Sequence, residues 1–229
     1  MKVIDVIDVA PQVRTIRLER PKDFSYKPGQ FLLVSMQVNG EMRRRAYSIA
    51  SSPTEPDYVD ITFKKVAGGM VSPRLYDLSI GDELDAKGPY GLFTLDETHL
   101  QNLVLVGGGT GITPLRSIMK FVVDKKLENV NISLIYGART PLDLVYHDEI
   151  QAMHANHSKI RIFFTIEQDG GEPWPWHRGM VSVDFIKESV PDYAGCMYYL
   201  CGPPLMIEHL LHELVQQGVD PRNIHVDRW

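Results

Sequence analysis

The stretch Asn102-Leu103-Val104-Leu105-Val106-Gly107-Gly108-Gly109-Thr110-Gly111-Ile112-Thr113-Pro114 organises the C-terminal half of the chain. An apolar run without polar alternation suits a strand covered on both faces, as in a parallel sheet. The glycines that follow permit positive φ and let backbone come close to a ligand. Ile112 then opens ITPLRSIMKFVVDKK, an amphipathic segment of helical length. A helix start offers unpaired N–H groups and a partial positive charge, which suit a diphosphate. In an open parallel sheet, ligands bind beyond the carboxyl ends of the strands. The same glycines also fit a turn that only packs strand on helix.

Downstream, the rhythm repeats. VNISLIYGAR reads as a buried strand, DLVYHDEIQAMHAN as helix, KIRIFFTIE as strand and MVSVDFIKES as a short helix. CMYYLCGPP is a strand running into a turn, LMIEHLLHELVQQG a helix stopping at Gly218, and NIHVDRW a final strand. Strands alternating with helices imply a parallel sheet with right-handed crossovers. Upstream the pattern differs. KVIDVIDV, VRTIRLER, FLLVSMQV, RRAYSIAS, DYVDITFKK and DELDAKGP are short strands, with Ala10-Pro11, Lys27-Pro28-Gly29 and Asn39-Gly40 as turn signals. A short helix is predicted over Met70 to Leu78. The fold class expected is β + α/β: a small antiparallel barrel or sandwich over 1–98, then a parallel-sheet α/β domain over 99–229.

Composition narrows the function. The chain has 229 residues, 44% hydrophobic and 23% charged, with a formal net charge of -5. Arg43-Arg44-Arg45 is the densest basic cluster; in an acidic chain it suits a compact diphosphate better than a nucleic acid, and no nucleic-acid partner is expected. The two cysteines, Cys196 and Cys201, are too few for an ordinary iron–sulfur cluster. The opening MKVIDVIDVA reads as a strand and not a secretory signal. No apolar run approaches the roughly 20 residues of a membrane span, so a cytoplasmic protein is expected. The eight histidines form no ligand cluster, and no metal is expected; His154 and His157 read as surface residues. Trp174-Pro175-Trp176-His177 is a rigid aromatic loop that either packs or touches a ligand or partner.

Three further motifs carry chemistry. In Arg45-Ala46-Tyr47-Ser48, alternation puts Arg45 and Tyr47 on one strand face. A cation beside an aromatic ring suits a flat ligand bearing phosphate; an ordinary exposed strand face fits equally. Gly68-Gly69-Met70-Val71-Ser72 offers backbone donors and a hydroxyl to an anion, or forms a hairpin turn with a serine helix cap. Cys201-Gly202-Pro203-Pro204-Leu205-Met206 ends a strand where it can line the same crevice as Gly107–Gly111. Its thiol either packs beside a flat ring or is a buried core cysteine.

Taken in order, R-x-Y-S, G-G-x-V-S, G-G-G-T-G-I-T-P, Y-G-A-R and C-G-P-P-x-M resemble the ferredoxin–NADP reductase superfamily, over nearly the whole chain from Lys27. The resemblance implies a six-stranded antiparallel FAD-binding barrel followed by a nucleotide-binding α/β domain, and a flavoprotein reductase using NADH or NADPH. It implies that Arg45 and the segment Gly69, Met70, Val71 and Ser72 meet the FAD diphosphate. Tyr47 stacks on the isoalloxazine, Ser48 bonds near its N5, and Thr62 and Lys64 lie near the adenosine. Gly108, Thr110 and Gly111 hold the pyridine nucleotide, with Thr110 near the nicotinamide. Cys201 faces that ring, supported by Gly202, Pro203 and Met206.

The ending Val226-Asp227-Arg228-Trp229 resembles relatives that finish on an acidic residue, a spacer and an aromatic. By that resemblance Trp229 covers the flavin and moves aside for hydride transfer, and Asp227 lies near the nicotinamide pocket. Arg139 is the candidate for a ribose phosphate, whereas Glu167, where NADP-dependent relatives often carry Ser-Arg, prefers ribose hydroxyls. NADH is therefore favoured over NADPH. With only two cysteines, a fused iron–sulfur domain is not expected, so electrons are expected to leave the flavin for a separate acceptor: a ferredoxin, a flavodoxin, an oxygenase component or a small acceptor. An electron-transfer subunit of a larger complex, an NAD(P)H:flavin reductase, and a binding domain without chemistry are the competing readings. Removing Trp229 is expected to change NAD(P)H affinity and the charge-transfer absorbance; a titration of the truncated protein that shows neither change rejects the stacking role.

Overall fold

Strands form in the N-terminal part where apolar side chains recur every second residue, the period of a pleated backbone. In β2 (Val13–Glu19) the apolar Val13, Ile16 and Leu18 are buried while Glu19 is exposed. A computed structural model describes residues 1–97, 102–171 and 173–227. Its N-terminal strands are β1 (Val3–Ala10), β2, β3 (Phe31–Val38), β4 (Glu41–Ser48), β5 (Tyr58–Lys64) and β6 (Asp85–Tyr90), with helix α1 (Ser72–Tyr76) before β6. They pair as two three-stranded antiparallel sheets, β1-β2-β5 and β4-β3-β6. Single bridges join the sheets, Lys2 to Glu83 on one side and Ile49 to Ile61 on the other. The six-stranded barrel is thus two sheets closed at two narrow seams. Inside lie Ile16, Leu18, Leu32, Val34, Ile61 and Leu75. The β3–β4 hairpin turns on Asn39 and Gly40, both at positive φ (52° and 83°), as a two-residue turn of this twist requires.

The remaining strands are β7 (Asn102–Gly108), β8 (Asn131–Ala138), β9 (Ile160–Ile166), β10 (His177–Arg178), β11 (Met197–Cys201) and β12 (Ile224–Asp227). They form one parallel sheet in the order β10-β9-β8-β7-β11-β12. The helices are α2 (Ile112–Asp124), α3 (His147–Asn156), α4 (Val183–Ser189) and α5 (Pro204–Gln216). The order runs one way from β7 to β10 and the other way from β7 to β12. The reversal falls between β7 and β11, so their carboxyl ends are the place where such a sheet opens a crevice.

By internal contacts the chain divides into two units, Met1–Leu95 with Arg116–Lys125, and Asp96–Leu115 with Lys126–Trp229. The first unit therefore includes the later turns of α2, and a buried polar hub explains why. Asp60, 1% exposed, accepts from Arg17 through both oxygens at 2.9 and 3.1 Å, and Arg116 Nη1 lies 3.9 Å away. Arg116 also donates to the Ala50 carbonyl at 2.7 Å, and Ser117 Oγ to the Ser51 carbonyl at 2.6 Å. The Asp60 carboxylate keeps the Arg17 guanidinium charged well beyond its ordinary range.

Three elements depart from the sequence expectation. Helix α1 covers only Ser72–Tyr76 and not Met70–Leu78, because Gly69 N–H closes a turn onto the Val66 carbonyl at 2.9 Å just before it. Ser72 is not its cap either; its hydroxyl accepts from Val66 N–H at 3.0 Å. Helix α3 starts at His147, four residues later than the predicted start at Asp143. Pro141–Asp143 forms a separate 3₁₀ turn, and Val145 N–H is taken by the Tyr136 hydroxyl at 3.0 Å. The Trp174–His177 segment supplies the start of β10, a pairing too short for periodicity to reveal.

Neutralising Asp60 removes the buried carboxylate shared by the buried Arg116 and the partly exposed Arg17, and breaking a buried pair costs about 3–5 kcal/mol. Asp60→Asn is expected to lower stability by about 3 kcal/mol in urea unfolding; a loss within experimental error shows that the hub is not a major source of stability.

Candidate functional site

The nucleotide motifs meet at the reversal in strand order. Register places Gly107 of β7 beside Cys201 of β11 and Tyr136 of β8, and Cys201 beside Asp227 of β12. The contact between the two loops is backbone on backbone. A Cβ on Gly111 would lie 2.1 Å from the Cys201 carbonyl oxygen, and one on Gly202 would lie 2.9 Å from Gly108 N. A Cβ on Gly108 would meet Pro203 at 2.7 Å and Met206 Sδ at 2.9 Å. No side chain fits at these three positions, which is why Gly108, Gly111 and Gly202 are glycines.

Gly109 is different. It holds φ +54° and a Cβ there would have nothing within 4 Å, so open space lies over the turn. The turn is a single 3₁₀ step, Gly109–Gly111, leading straight into α2. Thr110 is half-buried, and its carbonyl accepts from Thr113 Oγ1 at 2.7 Å. A half-buried glycine turn at the head of a helix, with open space over Gly109, fits an anionic dinucleotide.

The thiol of Cys201 is fully buried, and its Sγ donates to Asp227 Oδ2 at 3.7 Å. The pair brings together two residues singled out independently in the sequence. Further along the same sheet end, Arg139 is exposed and its Nε lies 3.9 Å from Asp143 Oδ2. Glu167 is exposed just past β9, and Arg178 donates to Asp169 at 2.8 Å. One residue that the sequence showed only as part of a motif is Tyr136, whose hydroxyl donates to the Gly109 carbonyl at 2.9 Å. Nothing in the spacing announces that bond.

In the barrel, Arg45 and Tyr47 share a face of β4, opposite Val34 and Leu32 of β3. Arg45 is exposed and donates to the Arg44 carbonyl at 2.8 Å. Tyr47 is half-buried with its ring 5.6 Å from Phe63, edge-on, and burial pushes its phenol up to about 12. It therefore stays neutral at physiological pH. Ser48 ends the strand, half-buried, next to the seam at Ile49. Gly68 (φ +72°) faces open space, whereas a Cβ on Gly69 would lie 3.0 Å from the Val66 carbonyl and 3.1 Å from Ser72 Oγ. Beyond it Met70 is exposed and Val71 buried. The turn presents backbone to solvent with little side chain in the way, and so fits a diphosphate.

Thr62 and Lys64 sit apart from one another in character. Thr62 is 4% exposed and shares a 2.8 Å hydrogen bond with Thr15, while Lys64 is exposed at the strand end. Trp229 lies outside the described residues. Among the described residues no group of three or more His, Cys, Asp or Glu could hold a metal ion, and no helix is long and apolar enough to cross a membrane.

Two family models match the chain. Residues 1–95 match the oxidoreductase FAD-binding domain family and residues 105–212 the oxidoreductase NAD-binding domain family. The chain is 33% identical to the glycine betaine monooxygenase reductase subunit of Pseudomonas aeruginosa, over 100% of its own length but only 63% of the relative's. It is 32% identical to ferredoxin–NADP reductase B of Sorangium cellulosum, covering 100% of this chain and 96% of the relative. Its fold matches the FAD/NAD-binding domain of a nitric oxide dioxygenase from Vibrio cholerae with a TM-score of 0.89 at 20% identity, over 100% and 97% of the two chains. With an FAD-binding barrel, a parallel-sheet NAD-binding unit and a full-length relative among the ferredoxin–NADP reductases, the chain belongs to the ferredoxin–NADP reductase superfamily.

Proposed function

We propose that this chain is an NAD(P)H-dependent flavoprotein reductase that passes electrons to a separate acceptor. The observation that carries the reading is the backbone-to-backbone packing of Gly108–Gly111 on Cys201–Gly202 at the strand-order reversal. FAD, when bound, supplies the redox chemistry, accepting a hydride and returning electrons one or two at a time.

The chain's own residues bind and orient. Residues 1–98 carry the flavin and 99–229 the nicotinamide nucleotide. Arg45 neutralises the flavin diphosphate, together with backbone donors of Gly69, Met70, Val71 and Ser72. Tyr47 offers its neutral ring as a stacking surface, and Ser48 a hydroxyl to the ring edge near N5. Thr62 and Lys64 serve the adenosine side, Thr62 by shaping the strand from within. Gly108, Thr110 and Gly111 hold the nucleotide, Thr110 next to the nicotinamide. Cys201, backed by Gly202, Pro203 and Met206, bounds the nicotinamide pocket with Asp227. Trp229 screens the flavin until nucleotide arrives. These residues set position and exclude water, which is what a hydride transfer at near-attack distance demands.

The acceptor is a separate protein, by analogy with a relative named as a monooxygenase reductase subunit and another named ferredoxin–NADP reductase. Because the chain spans 63% of the former's length, the oxygenase partner belongs to that comparison at the level of proposal. NADH is the preferred donor. Arg139, the candidate for a ribose 2′-phosphate, lies with its Nε 3.9 Å from Asp143 Oδ2, while the exposed Glu167 suits a ribose diol.

Two measurements check this. Anaerobic NADH added to the purified protein is expected to bleach a visible flavin spectrum; a colourless protein that takes up no FAD rejects the reading. Glu167→Ala is expected to narrow the preference for NADH over NADPH, judged by the ratio of kcat/KM values, about tenfold for the loss of one charge-assisted hydrogen bond. An unchanged ratio removes Glu167 from donor selection.

A further inference from the structure

Tyr136 is a fully buried side chain bonded to the glycine turn. It stands on β8, in register with Gly107 on one side and Phe164 on the other. Its hydroxyl makes two bonds. It donates to the Gly109 carbonyl at 2.9 Å and accepts from Val145 N–H at 3.0 Å. Burial pushes the phenol up, so the proton stays on the oxygen and the donation to Gly109 is kept across physiological pH.

The Gly109 carbonyl also accepts from Ile112 N–H, at the end of the 3₁₀ step. Both of its lone pairs are therefore engaged from within the fold. A trans peptide is planar, with C=O and N–H pointing in opposite directions. Holding the Gly109 carbonyl toward Tyr136 aims the Thr110 N–H away from it. Gly109, with φ +54° and open space around it, has little of its own to hold that peptide plane, since glycine visits many conformations at low cost.

We propose that Tyr136 is a positioning residue that presets the Thr110 N–H as a hydrogen-bond donor to the pyridine nucleotide. The hydroxyl does not touch the ligand. It fixes one peptide plane before the ligand arrives, so that binding does not have to order it. The second bond, to Val145, ties the same hydroxyl to the segment before α3, where Tyr146 is left at φ 61°. This inference rests on the nucleotide site proposed above and gives Tyr136 a role that the Y-G-A-R motif did not assign.

The test is Tyr136→Phe, which keeps the ring and removes the two bonds. Flavin content and reduction by dithionite are expected to match the unaltered protein, with KM for NADH up about tenfold and kcat falling by less, because a donor to the ligand is lost from its preset direction. Equal KM values in the two proteins overturn the proposal. A second measurement covers a variant that does not fold. In the unaltered protein, hydrogen exchange at the Thr110 amide is expected to be fast alone and slowed by NAD⁺. A Thr110 amide already protected without nucleotide, or unmoved by it, overturns the proposal. An unaltered protein that binds no nicotinamide nucleotide overturns the site reading itself, and the role of Tyr136 with it.

Discussion

The approach of Gly111 to the Cys201 carbonyl is the constraint on which the α/β unit depends. Two loops that follow adjacent strands can both bring backbone to the sheet's carboxyl edge only if side chains are absent where they touch. A Cβ would come within 2.1 Å of the carbonyl oxygen at Gly111 and 2.6 Å of Met206 Cε at Gly202. Glycine is costly in an ordered chain, since it loses more freedom on folding than any other residue. That cost is borne here because the two loops touch backbone to backbone, where any Cβ would clash.

Much of this was legible in the sequence. The apolar run into glycines at Val106–Gly111, the Cys201-Gly202-Pro203 turn and the Asn39-Gly40 hairpin each fold as their local chemistry dictates. The strands of the barrel were read from alternation, although their split into two sheets was not, because register between distant strands leaves no mark in either segment. Sequence reading failed where one side chain overrides local propensity. Val145 sits inside a helix-like pattern, yet its N–H is held by a phenol nine residues earlier. The Asp60 hub was invisible for the same reason: Arg17, Asp60 and Arg116 come from three separate segments.

Both hidden features are polar groups inside an otherwise apolar interior. A hydroxyl or carboxylate taken out of water must be matched, and the matching fixes geometry as well as recovering energy. Tyr136 is matched by two hydrogen-bond partners, and Asp60 by a hydrogen-bonded Arg17 and a more distant Arg116. Hydrophobic packing alone tolerates small slides of one element past another. These polar junctions do not, and they lie beneath the glycine turn in one unit and beneath the later turns of α2 in the other.

The seam at Ile49 and Ile61 has a further consequence. Along the rest of β4, among the described residues, strand pairing runs only to β3. A strand with one free edge is a template for another chain, and self-association through such edges is a hazard that natural sheets blunt with charge. Arg43, Arg44 and Arg45 stand in succession on that strand. A second copy attempting to pair there would set three guanidinium groups against three more. The arginines proposed to meet an anion thus also place charge along the edge of the barrel where another strand would have to pair.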